Sequence, residues 1–153
     1  MYLTAHGTAG LLIARFIPNP ILAFVVGMVS HLVLDFIPHG DEHIADQKRF
    51  SLPQAKHRIA GAALLDGILL TFFVLLYIAT TPTTSYQTII WAFAGAVLPD
   101  ILQGIYLVTN TRWLKEFNHV HQGIHNMAGH KLNWKQGMLV QAMTFTALWL
   151  MLI

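Results

Sequence analysis

A chain of 153 residues has room for one domain, 1–153, and this one is 55% hydrophobic and only 10% charged, with a mean hydropathy of +0.55. That charged fraction is well under half the roughly 25% of a soluble domain, which excludes intrinsic disorder and an ordinary water-soluble enzyme. Nine Lys and Arg against seven Asp and Glu, with no basic stripe, exclude nucleic acid as a partner, and the absence of cysteine removes disulfides, thiolate metal sites and Cys nucleophiles.

Five helices are expected, at about 3–17, 20–37, 58–80, 86–108 and 136–153, forming an all-α, integral-membrane bundle. The first is short and amphipathic and ends at Pro18-Asn19-Pro20, a tight turn that hairpins it onto the second. It has no basic n-region and no A-x-A site, so it does not read as a cleaved signal peptide. The other four, beginning with PILAFVVGMVSHLVLDFIP at Pro20 to Pro38, have the length and apolarity of full membrane spans of about 20 residues.

Lysine and arginine set the expected orientation. Lys48, Arg49, Lys56 and Arg58 lie in or beside the loop before the third helix, and Arg112, Lys115, Lys131 and Lys135 in or beside the segment before the last. Only Arg15 falls on the other side. Both charged loops and the N-terminus are therefore expected to be cytoplasmic.

Nine histidines are unusual in so apolar a chain. Ionisable groups inside a span are costly and point to function. His31, Asp66 and Asp100 each fall ~12 Å inside the same boundary, and His6 opens the first helix on that side. Hydrophobic patterning and the Lys/Arg count used none of these residues, so their common depth is an independent coincidence. The densest run is His31-x3-Asp35-x3-His39-x-Asp41-x-His43. Residues four apart share a helix face, so His31 and Asp35 can present an imidazole and a carboxylate to one point, and Pro38 ends the helix and lets the following turn fold back. His121 and His125 are again one turn apart. His43, His57 and His130 read as solvated loop residues.

Nitrogen and oxygen donors without sulfur suit zinc first, with Mn, Fe or Ni as alternatives, and the candidates suffice for one ion or for two sharing a carboxylate. The metal set read here includes His6, His31, Asp35, His39, Asp66, Asp100, His121 and His125. A bound metal supplies an ionised water as nucleophile, Asp41 or Glu42 takes its proton, and Arg58 and Arg112, with Lys56 and Lys115, hold an anionic or amphipathic substrate such as a lipid phosphoester. The alternatives are a proton or divalent-cation transporter, for which a homo-oligomer supplies further helices, and a non-catalytic metal-binding membrane protein.

The order AHGTAGLL, GMVSHLVLDFIPHGDEH, GAVLPDI and HVHQGIH resembles the bacterial membrane-bound metal-dependent hydrolases, and the H-x3-D helix also resembles zinc-dependent phospholipase C. The resemblance implies His6, Asp100, His121 and His125 as metal ligands, with His31 and Asp35 in the same centre. It also implies a hydrolase of the bacterial cytoplasmic membrane.

Overall fold

The computed structural model describes residues 1–40, 51–81, 85–127 and 132–153. The described residues form six helices and no strand: α1 (Leu3–Phe16), α2 (Pro20–Asp35), α3 (Leu52–Thr80), α4 (Tyr86–Thr109), α5 (Lys115–Met127) and α6 (Trp134–Leu152). The all-α expectation holds, with one helix more than the five expected. The addition is α5. Asn110 takes a left-handed conformation (φ 50°) that stops α4, and a single 3₁₀ turn at Arg112–Leu114 leads into α5.

Local chemistry explains the other boundaries. Asn19 caps α2 by accepting from the Leu22 amide, with Pro20 opening the helix. Capping boxes at Ser51/Gln54 and Asn133/Gln136 start α3 and α6 earlier than hydropathy suggests. Arg58, expected as the first residue of the third helix, therefore lies within its first turns.

Of the four spans expected, α3 (over Pro53–Thr80) and α4 (Tyr86–Thr109) are long and apolar enough to cross a membrane. α2 is apolar but has 16 residues, about 24 Å at 1.5 Å per residue. α6 opens on Lys135 and Gln136 and carries Gln141 in its interior.

The shortest of the apolar helices is the hub. α1 packs against α2, α3, α4 and α6, and every residue from Thr4 to Leu11 is buried. Small residues permit this. A Cβ on Gly10 would meet the Phe93 Cα at 3.0 Å and the Ala92 carbonyl at 3.1 Å, and one on Gly27 of α2 would meet the Ala96 nitrogen at 3.0 Å. Close backbone approach through Gly and Ala is how helices associate tightly where side-chain hydrophobicity gives little drive. An apolar core of Leu11, Ala14, Ala23, Tyr77, Ile89, Ala92 and Leu152 fills the end of the bundle where α1 finishes and α2 begins. Arg15 donates to the Leu152 carbonyl at the same end. The opposite end, where α1 begins and α2 finishes, is where the ionisable residues gather.

Candidate metal centre

Four elements bring their polar side chains to one point. α1 delivers His6, and α2 delivers His31 and Asp35 from adjacent turns. α4 delivers Asp100 just after the helix-internal Pro99, and α5 delivers His121 and His125 from adjacent turns. His39 arrives on the segment that leaves α2. That segment is held by Gly40, whose positive φ (67°) suits glycine and which lies against Gly137 of α6.

Asp35 is the centre of the arrangement and is buried. Its Oδ2 lies 3.0 Å from His31 Nε2, 3.0 Å from His121 Nε2 and 3.1 Å from His125 Nε2. Its Oδ1 lies 3.1 Å from His6 Nε2 and 2.7 Å from the Met1 backbone nitrogen, which is also 2.8 Å from His39 Nε2. His31 Nε2 and His121 Nε2 face each other at 3.0 Å, so with Asp35 Oδ2 they form a triangle of three equal edges. Donors sharing one ion at about 2.0–2.1 Å stand roughly 2.9–3.4 Å apart, depending on coordination geometry. The triangle has those dimensions. Asp100 Oδ1 lies behind it, 3.7 Å from His31 Nε2 and 3.9 Å from His121 Nε2.

The hydrogen bonds around the cluster fix which ring nitrogens face it. His31 Nδ1 donates to the Ala96 carbonyl at 2.7 Å, beside the place where Pro99 removes a helix hydrogen bond. With Nδ1 donating to the backbone, His31 turns Nε2 toward Asp35 Oδ2, a pure acceptor when ionised. A proton on that Nε2, or a metal ion held between the two atoms, makes the 3.0 Å contact favourable. His39 is set the same way, its Nδ1 donating to the Ile37 carbonyl at 2.6 Å and its Nε2 left facing the cluster. Such a backbone partner on the remote nitrogen fixes the tautomer of metal-ligating histidines. His6 Nδ1 and His121 Nδ1 meet no partner among the described residues.

Two groups in this cluster could hold a metal ion, His31–Asp35–Asp100–His121 and Asp35–His39–His125, with donor atoms within 4.8 Å of one another in each. His6 stacks on His31 with ring centroids 3.9 Å apart. It faces the remaining oxygens of both carboxylates, Asp35 Oδ1 at 3.1 Å and Asp100 Oδ2 at 3.8 Å. Seven of the eight residues read as ligands from the sequence therefore converge. Asp66 is not brought into the cluster. Its carboxylate accepts from the Leu3 and Thr4 amides and from the Thr4 hydroxyl, and so caps α1 from across the bundle. Asp41 and Glu42 lie outside the described residues, as do His43, Lys48, Arg49, His130 and Lys131. Arg58 is exposed on the first turns of α3 and Arg112 is exposed in the 3₁₀ turn before α5.

One supporting residue is absent from the sequence reading. Gln141 of α6 is buried, donates to the His39 carbonyl at 2.9 Å and accepts from the Tyr2 amide at 2.9 Å. It ties the His39 segment and the start of α1 to a third helix. The signal for it was an amide inside the apolar run MLVQAMTF.

Comparison of the chain with protein-family models, with curated proteins and with solved structures returned no match. The case for the site rests on its geometry.

Proposed function

We propose that this protein is a membrane-embedded, metal-dependent hydrolase that activates water on a divalent ion, zinc first, to cleave a phosphoester of phospholipid type. The observation that carries the reading is the equal-edged triangle of His31 Nε2, His121 Nε2 and Asp35 Oδ2, with His31 Nε2 turned inward by the bond from Nδ1 to the Ala96 carbonyl. A metal held by imidazoles and carboxylates with a position left for water makes a nucleophile near neutral pH. Side-chain exposures of 19% at Asp100 and 17% at His125, against 0–1% at His31, Asp35 and His121, favour an approach from the α4–α5 side.

Membrane residence is supported by the outer surface. Val25, Val29 and Val33 on α2, Leu64, Ile68 and Phe72 on α3 and Leu139 and Met143 on α6 are all exposed. Contiguous apolar surface on that scale is a liability in water and is the normal surface of a protein in lipid. In this reading the Lys/Arg bias puts the centre at the cytoplasmic interface of a bacterial-type membrane. Arg58 and Arg112 draw the phosphate, and Asp41 or Glu42, next in sequence after His39–Gly40, serves as base.

The test is hydrolysis of phosphodiester and phospholipid substrates by detergent-purified protein. The expected result is turnover that a chelator abolishes and added zinc restores, reduced on the order of 100-fold or more in Asp100→Asn. Metal-loaded protein inert on every phosphoester offered would overturn the hydrolase assignment. Full metal retention by Asp35→Asn would overturn the centre itself.

A further inference from the structure

α5 and the turn before it carry three stripes of different chemistry. Leu114, Asn118, His121 and His125 form the stripe turned to the bundle, from which His121 and His125 reach Asp35. Lys115, His119, Gln122 and Asn126 form a second, polar and exposed throughout. Phe117, Val120, Ile124 and Met127 form a third, apolar stripe, continued backward by Trp113 in the 3₁₀ turn. Steps of three and four residues put each set on one line, and the lines stand roughly a third of a turn apart. The apolar stripe is not core. Trp113 is 72% exposed, Val120 62% and Met127 69%, while Phe117 and Ile124 are half-buried.

We infer that α5 lies in the plane of the membrane surface, its apolar stripe seated at the acyl edge of an anionic bilayer and its polar stripe in water. This rests on the membrane part of the reading above and adds where the bilayer surface meets the centre. A helix with one apolar side, one strongly polar side and little net hydrophobicity settles along a bilayer with its apolar face about 5–10 Å into the headgroup and acyl boundary. The residues around the stripe favour lipid over a protein partner. Trp113 stands at its end with the exposed Arg112 and Lys115 on either side, and Glu116 is the one acid from Arg112 to Met127. Trp134 and Lys135 are exposed at the start of α6, the end of that helix that meets the His39 segment. Tryptophan with basic residues marks the level of anionic headgroups. The ligand stripe shares this level, since the Phe117 ring lies parallel to that of His121 with centroids 5.8 Å apart. A lipid phosphate then reaches the cluster without its chains leaving the bilayer.

The chain has no cysteine, so a single introduced one takes a nitroxide label uniquely. Val120→Cys, Met127→Cys, Gln122→Cys and Asn126→Cys, all at exposed positions, are labelled in the full chain and placed in nanodiscs of phosphatidylcholine and phosphatidylglycerol. Ile68→Cys, on the exposed side of α3, is the control for membrane residence. Labels at 120 and 127 are expected to be relaxed more by oxygen, which partitions into lipid, and to report a depth of about 5–10 Å below the phosphates. Labels at 122 and 126 are expected to be relaxed more by an inert, water-soluble chelate. Water at all four α5 positions, or lipid at all four, with Ile68 in lipid, overturns the in-plane placement and leaves membrane residence standing. Shielding of 120 and 127 from both reagents means that a protein or a second copy covers the stripe, and overturns it as well. Water at Ile68 too removes the membrane reading itself. None of these readouts needs a metal or turnover, so the outcome is separate from that of the hydrolase assay.

Discussion

α1 and α3 lie against each other and run parallel, yet they are built on opposite plans. α1 carries two glycines, two threonines and a histidine among its first eight residues, and all eight positions from Thr4 to Leu11 are buried. α3 is longer, packs against α1 and, through Phe73 on Phe145 and Trp149, against α6, and has 11% of its most apolar stretch buried. Burial in water generally follows hydrophobicity. Here it follows size and polar pairing. Small residues bring α1 within reach of four helices, polar groups on it find partners in Asp66, Asp35 and Asp100, and Leu64, Leu65, Ile68, Phe72 and Leu75 of α3 are left outside while Tyr77 and Leu70 turn inward.

Glycine substitutions break this contrast with the largest effect. Gly10→Leu drives a side chain into the backbone of α4 at Phe93 and Ala92 and is expected to cost about 3 kcal/mol or more, with loss of folded protein in thermal melts. Gly67→Ala on α3 meets nothing within 4 Å and is expected to be neutral or to stabilise by up to about 1 kcal/mol through helix propensity. Equal sensitivity at the two positions would show that α3 is covered by a partner.

Gln141→Leu sharpens the contrast at the site. It removes the amide that orients the His39 segment without touching a ligand nitrogen, and metal affinity should fall by about 10–100-fold in a competition titration. An unchanged affinity would mean that Gly137 and Gly40 position His39 unaided. The smallest effect belongs to Asp66→Ala. Loss of the α1 cap should cost about 1 kcal/mol, read as a fall of roughly 2–4 °C in Tm, with metal content unchanged. Loss of metal in that variant would return Asp66 to the ligand set.

Much of the site could be read from spacing because helices impose it. Residues four apart share a face whatever surrounds them, so His31 with Asp35 and His121 with His125 were legible as pairs. The common depth of His31 and Asp100 was legible because helix rise converts residue number into height. Direction around the helix axis was not. Asp66 lies at the same depth, yet its carboxylate turns to the α1 amides, because four unpaired N–H groups at a helix start compete for any nearby carboxylate. Nor was α5 legible as a separate helix, since its polar outer face and the left-handed Asn110 before it give no apolar stretch to detect.

The amino-acid sequence by itself determined the helical class, the apolar surface and the set of imidazoles and carboxylates available, all of which are local properties of residue type and period. Only the tertiary structure decided that α1 is the hub, that Asp35 rather than any other acid receives four imidazoles, and that the Ala96 carbonyl orients the ring of His31. Those outcomes depend on which faces meet across residues far apart in the chain. That choice is made by how closely backbones can approach, which no single helix encodes alone.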